Sequence, residues 1–240
     1  MAAARAALVS GGSSGIGLAI ARALGEDGYA VMVSARRPDK LAASAAELRG
    51  VGIAVEDVPA NVAHEEEVKA LVARHRERFG RLDVLVNNAG VGIGGAIADA
   101  DTKQLDLQLD VNLRAVYLTT RECIPMLKEA GAEHGKALVA NTASIAGKSG
   151  QGGLAAYSAA KFGVVGFTQA LHREHARDGI QATALCPGFV DTPMTDWLEG
   201  VEKDELIRPE DIAECIRFLL RTSAACMVPE VQFIRPGESP

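Results

Sequence analysis

The feature that most constrains this chain is a rhythm: short apolar runs alternate along its length with longer stretches of helical period. That alternation builds a parallel sheet wrapped by helices, because parallel neighbours need a crossover connection and a helix is the usual one. The runs at 6–10, 30–34, 52–58, 82–87, 137–142, 181–186 and 231–235 are the expected strands. No internal repeat, low-complexity tract or Pro/Gly/Ser linker divides them, so residues 1–240 read as one doubly wound α/β domain of about seven strands. Among the helices between them, the stretch 64–79 opens with Glu65, Glu66 and Glu67, closes with Arg74, Arg76 and Arg78, and is followed by Gly80. Those charges suit a helix dipole, and mark a solvated helix in place of a binding site.

Composition excludes several classes of function. The formal net charge of −6 comes with no basic stripe, which argues against a nucleic-acid partner. No apolar stretch approaches membrane-span length, and the opening run stops at Gly11, too short for a signal-peptide core. Cys123, Cys186, Cys215 and Cys226 have no C-x-x-C spacing, so a reduced, cytoplasmic setting is expected.

After the first expected strand comes Ser10-Gly11-Gly12-Ser13-Ser14-Gly15-Ile16-Gly17, then a run of helical period. Glycines there let the backbone turn sharply and approach a pyrophosphate, while the free N–H groups of the helix start attract its charge. The spacing is G-x-x-x-G-x-G; Ile20 stands where the common dinucleotide fingerprint has its third glycine. The second strand runs into Ala35-Arg36-Arg37. An acid at this point would accept from the ribose 2′-hydroxyl of NAD, whereas an arginine fork pairs with the 2′-phosphate of NADP. Ala35 and Arg36 therefore favour NADP(H) over NAD(H), against the alternative of two solvated arginines ahead of a helix starting at Pro38.

The chemistry centres on residues 140–165. Tyr157 and Lys161 lie four apart in an Ala-rich helical run, on one face and about one turn from each other. Ser144 follows the apolar run 137–140 at a strand's carboxyl end. A phenol has an ordinary pKa of about 10, and a nearby ammonium favours its ionised form. With a hydroxyl to donate to a developing alkoxide, the three make a centre for alcohol–carbonyl proton transfer. Spacing alone also allows an ordinary helix-face pair and an ordinary strand-end hydroxyl.

Taken in order, Gly11/Gly15/Gly17, Asn87-Asn88-Ala89-Gly90, Ser144, Tyr157/Lys161 and Pro187-Gly188-Phe189-Val190-Asp191-Thr192 closely resemble the short-chain dehydrogenase/reductase superfamily, from residue 6 to about 220. The resemblance implies a Rossmann-type fold and a catalytic set of Asn112, Ser144, Tyr157 and Lys161. In it Tyr157 exchanges the proton, and Lys161 lowers the tyrosine pKa and binds the nicotinamide ribose. Ser144 orients the substrate oxygen, and Asn112 holds a water linking Lys161 to solvent. It further implies cofactor contacts from Gly11, Ser13, Ser14, Gly15, Ile16 and Gly17 in the first turn, Arg36 and Arg37 after the second strand, and Asn61 and Val62 after the third. Asn88, Ala89 and Gly90 would line the adenosine side, and Pro187, Gly188, Val190 and Thr192 the nicotinamide, beside Tyr157 and Lys161. A homodimer or homotetramer pairing the helices of Asn112 and Tyr157 is expected by the same resemblance.

Three positions depart from that pattern. Asn61 stands where an aspartate is usual, Ser14 where some NADP-preferring members are basic, and Cys226-Met227-Val228-Pro229 lacks the usual Thr-Gly. His172 and His175 lie three apart on a helix but have no further ligands at helical spacing, so no metal is expected. Phe189, Met194 and Trp197 fall in or beside a short lid expected at 192–207, there either to cover an apolar substrate or to pack the lid down. Gly92, Gly94, Gly95, Gly150, Gly152 and Gly153 are expected in pliable pocket walls.

The sequence thus reads as an NADP(H)-dependent oxidoreductase interconverting a secondary alcohol and a ketone or aldehyde on a small molecule, acting as a carbonyl or 3-oxoacyl-type reductase. A nucleotide-bound sensor or scaffold with little catalysis is the alternative. A methyltransferase would leave Arg36 and the Tyr157/Lys161 pair unexplained.

Overall fold

The computed structural model describes residues 5–198 and 200–237; residues 1–4, 199 and 238–240, which include the first four positions of the opening run and one position of the expected lid, lie outside it. Seven parallel strands form one sheet: β1 (Ala6–Ser10), β2 (Ala30–Ala35), β3 (Val55–Pro59), β4 (Val84–Asn87), β5 (Ala137–Thr142), β6 (Ile180–Pro187) and β7 (Glu230–Phe233). Their spatial order is β3-β2-β1-β4-β5-β6-β7. The order reverses between β1 and β4, where Val9 pairs with Val86, and such a switch point opens a crevice at the strands' carboxyl ends.

The period-2 alternation of the strands supplies a core on both faces. Val9, Val33, Val86 and Ala140 point to one side and pack on α1 (Gly15–Glu26), α2 (Pro38–Gly50) and α7 (Pro209–Arg221) through Ile20, Leu24, Leu41 and Ile216. Leu8, Met32, Leu85 and Val139 point to the other. They meet Leu71 of α3 (Glu65–Phe79), Met126 and Leu127 of α5 (Ala115–His134) and Leu171 of α6 (Ala155–His175). Each fully buried leucine contributes on the order of 1.5–3 kcal/mol relative to exposure.

The helix α4 (Thr102–Leu109) does not end before α5. Residues Asp110–Arg114 form a π turn, and Leu109, Arg114 and Ala115 all keep helical dihedrals, so 102–134 is one continuous rod. Such a π turn inside a helix often marks a functional site. The third helix begins at Glu65 after His64 and ends at Gly80, whose φ of 69° is the left-handed stop. Its acids and arginines are spent on surface pairs such as Arg121–Glu65 (2.8 Å) and Arg74–Glu56 (2.6 Å).

Three expected strand boundaries move by two residues or more, and others in β2, β3, β6 and β7 shift by one. Gly52 has a φ of +87°, which turns the chain, and a Cβ on Gly25 would meet Ile53 Cγ2 at 2.2 Å; pairing therefore starts at Val55. The fourth strand starts at Val84 because Asp83 turns its carboxylate to the Ala6 N–H (2.8 Å) and to Arg81. The last strand covers Glu230–Phe233 and stops short of Arg235, whose guanidinium stacks on Phe189.

Candidate active site

A cleft of about 580 Å³ lies along the carboxyl ends of the strands. Its floor is built from the first turn outward. A Cβ on Gly17 would lie 2.3 Å from Gly11 O and 2.5 Å from Asn88 Nδ2, so only glycine lets α1 start this close to the turn. At the end of β1, Ser10 Oγ accepts from the Asn88 and Ala89 N–H groups at 3.1 and 3.2 Å. Asn88 Nδ2 donates to Gly11 O at 3.3 Å, and Thr142 Oγ1 donates to Asn88 Oδ1 at 3.2 Å. Ser10 and Thr142 thus staple the N-N-A-G turn to both neighbouring strands. Neither belongs to the expected site, because a lone strand-end hydroxyl carries no sequence signal.

The electrostatics of the cleft differ from those of the whole chain. Despite a net charge of −6, no Asp or Glu is among the residues lining it; the charged ones are Arg36, Arg37 and Lys161. Helix α1 has no acid in its first turn, and Ser14 makes no side-chain cap bond, so the helix start keeps N–H groups for an anion. Ser34, a lining residue at the end of β2, is fully buried and its Oγ has no protein partner. This donor set fits a nucleotide with anionic groups along Gly11–Ile16 and Arg36–Arg37.

At the far end the residues expected to transfer the proton come together. Ser144 follows β5 and caps the 3-10 turn Ile145–Gly147, its Oγ accepting from the Ala146 N–H at 3.1 Å. A Cβ on Gly147 would lie 2.7 Å from the Lys161 backbone, so the turn lies flat against α6 and carries the Ser144 hydroxyl to the Tyr157 phenol. Lys161 Nζ stands 5.5 Å from the Tyr157 ring centroid and donates to Thr142 O at 2.7 Å. Burial pushes the lysine down to about 8. It also holds the Tyr157 phenol above its ordinary value, with the Ser144 hydrogen bond working the other way. The lowering of the phenol pKa expected from Lys161 is not found here: burial raises the phenol, and the Ser144 hydrogen bond is what opposes it.

The other expected residues sort by position. Ser13, Ser14, Gly15, Ile16, Val62, Asn88, Ala89, Gly90, Pro187, Gly188, Val190 and Thr192 line the cleft with Gly11 and the arginines. Gly17 supports the turn from behind. Asn61 does not line the cleft: its N–H donates to Glu67 Oε2 at 2.7 Å and its Oδ1 accepts from Ala63, organising the start of α3. Asn112 lies in the π turn, fully buried beneath Gly90, where a Cβ would come within 3.0 Å of its Oδ1. Its side-chain amide is taken by Val91, accepting at 3.0 Å and donating at 2.8 Å, so any water relay to Lys161 has to use other atoms.

Of the expected lid residues, Met194 lines the cleft; Trp197 is 66% exposed and pairs edge-on with Phe189 outside it. Gly92 lines the cleft, whereas Gly94, Gly95, Gly150, Gly152 and Gly153 do not. Gly95 N–H donates instead to Gly153 O at 2.8 Å, joining two loops. His175 is occupied by Asp178 at 2.8 Å.

Known proteins resemble the whole of this arrangement. The family model described as short chain dehydrogenase matches residues 5–202. A Streptomyces coelicolor protein with a provisional assignment as a ketoacyl reductase is 41% identical over 243 residues, covering 92% of each chain. Among solved structures, a variant of actinorhodin polyketide ketoreductase with NADPH superposes with a TM-score of 0.86 at 37% identity, covering 95% of both chains. A 3-ketoacyl-(acyl-carrier-protein) reductase from Brucella melitensis complexed with NADH gives 0.87 at 31% identity, covering 95% of this chain and 96% of that one. With its model spanning most of the sequence and the sheet order, turn and converging residues in place, the chain belongs to the short-chain dehydrogenase family of oxidoreductases.

Proposed function

We propose that this oxidoreductase is an NADP(H)-dependent carbonyl reductase acting on a ketone of the 3-oxoacyl type. The observation that carries the reading is the cleft itself, with no carboxylate, Arg36 and Arg37 at one end, and Ser144, Tyr157 and Lys161 together at the other. The solved relatives carry NADPH in one case and NADH in another, so the preference for NADP(H) rests on Ala35 and the Arg36 fork as well as on the ketoreductase likeness.

Gly11, Ser13 to Ile16 and the start of α1 would hold the pyrophosphate, and Arg36 and Arg37 the 2′-phosphate. Val62 and Asn88 to Gly90 would flank the adenosine, and Pro187, Gly188, Val190 and Thr192 the nicotinamide. When bound, the reduced nicotinamide supplies the hydride. Ser144 Oγ orients the substrate oxygen. Burial keeps the Tyr157 phenol protonated at neutral pH, which suits it to give its proton to the developing alkoxide. Lys161, still largely an ammonium below pH 8, stabilises the phenolate left behind.

Tyr117 (53% exposed) and Phe162 (46% exposed) leave an apolar stripe on α5 and α6, which supports pairing of two copies through these helices. Four unpaired cysteines support a reduced, cytoplasmic setting. No helix among the described residues is long and apolar enough to cross a membrane.

The test is steady-state oxidation of NADPH and NADH with 3-oxoacyl thioesters and simple ketones. The reading predicts turnover, with kcat/KM at least about tenfold higher for NADPH. A preference for NADH would overturn the cofactor assignment. NADPH binding with no carbonyl turned over would favour a nucleotide sensor.

A further inference from the structure

Two side chains of the 102–134 rod reach the same strip of backbone. Asn112 pairs with both polar groups of Val91, and four residues earlier Gln108, only 3% exposed, accepts the Ile93 N–H on its Oε1 at 3.0 Å. The spacing matches. Four helical residues rise about 6 Å, and two residues of chain span at most about 7 Å when extended. Between the two holds lies Gly92, where a Cβ would meet Tyr157 Cε2 at 3.9 Å and Met194 Sδ at 4.0 Å. Residues 91–93 are therefore the wall that faces the phenol ring and the lid methionine.

One side of that end is apolar. Val91, Ile93, Leu107, Val111 and Met194 form it, across from Ser144 and Tyr157, and among the described residues lining the end only Lys161 is charged, its ammonium turned to Thr142 O. Leu107 and Met194 remain 38% and 45% exposed at the mouth, where they form an apolar rim. A free oxo acid finds no further cation among these lining residues and a sugar finds no polar side chain on the apolar side; an apolar body finds contacts along it. Leucine at position 108 would bury as well as glutamine but would leave the Ile93 N–H without its acceptor, at the expense usual for an orphaned buried donor.

We propose that Gln108 is a specificity-determining positioning residue: by holding Ile93 it fixes the 91–93 wall, and so sets the gap at Gly92 that admits an uncharged carbonyl compound with a sizeable apolar body. The proposal rests on the carbonyl-reductase reading above. It is tested with Gln108→Met, which keeps length and loses the acceptor, and Gln108→Glu, which keeps an acceptor. Amide hydrogen exchange, NADPH affinity by fluorescence titration, and kcat and KM for a small and a bulky apolar ketone are measured on each.

In Gln108→Met, exchange should quicken in the peptide containing 91–93 and stay unchanged in that containing Gly11–Gly17. NADPH affinity should hold, and KM for the bulky ketone should rise roughly tenfold while kcat and the small ketone are little altered. Gln108→Glu should restore the bulky-ketone KM to within about twofold of the wild type. Unchanged exchange at 91–93, or equal losses for both ketones together with weaker NADPH binding, would overturn it. If the wild-type protein reduces neither ketone, the reductase reading and with it the substrate assignment fail, while the exchange data still decide the clasp.

Discussion

Lys161 is where sequence spacing and folded environment diverge most usefully. Spacing puts an ammonium one helical turn from a phenol, but only the fold shows the lysine 3% exposed and bonded to Thr142 O, with its pKa down to about 8. Deprotonation as pH rises through that value removes the positive charge that stabilises a Tyr157 phenolate. The kcat/KM for carbonyl reduction should accordingly hold near neutrality and fall above about pH 8; Lys161→Arg, which cannot titrate there, should lose that limb while losing activity overall. A flat wild-type profile to pH 10 would contradict it. At the other end of the cleft, Arg36→Ala should raise the KM for NADPH by roughly ten- to a hundredfold and leave that for NADH within about twofold, because only the 2′-phosphate loses a charged partner.

At the scale of elements, the alternation of apolar runs and helical periods made seven parallel strands and their helices legible, and the Glu-rich start and glycine stop of α3 placed that helix within a residue. What stayed hidden depends on contacts distant in sequence. The late start of β3 comes from Ile53 packing on Gly25, and the π turn that places Asn112 leaves no mark in a continuous helical pattern. Ser10 and Gln108 accept from backbone N–H groups and Thr142 offers its own carbonyl to Lys161, contacts that no side-chain motif announces. Asn61 shows the converse: a plausible cofactor position is used to organise a helix start.

Helix α3 also carries a stability prediction. His75 is fully buried, donates from Nε2 to Arg81 O, has an unpartnered Nδ1, and is pushed down to about 4 by burial. Between about pH 6.5 and 4 the unfolded chain takes up a proton that the folded chain refuses, so stability present above pH 6.5 is lost as pH falls. The loss approaches roughly 3 kcal/mol by pH 4. Urea unfolding from pH 7 to 4.5 should show this slope, and His75→Phe, set against Phe79, should flatten it whatever its effect at pH 7.

For the whole molecule, the switch in strand order, the glycine turn and the flat packing of the Ser144 turn on α6 bring together residues more than a hundred positions apart. The sheet is covered on both faces, while α5 and α6 leave Tyr117 and Phe162 outward. Sedimentation should therefore find at least a dimer, which Phe162→Glu should weaken without unfolding the protomer.

The most direct measurement of the central claim is single-turnover reduction of an apolar ketone or 3-oxoacyl thioester by the NADPH-loaded protein, wild type against Tyr157→Phe, with NADPH affinity measured on both. The account predicts a loss of about a hundredfold or more in the reduction rate, with affinity held within about twofold, because the phenol gives the proton and is not the main anchor of the nucleotide. Undiminished reduction by Tyr157→Phe would contradict it.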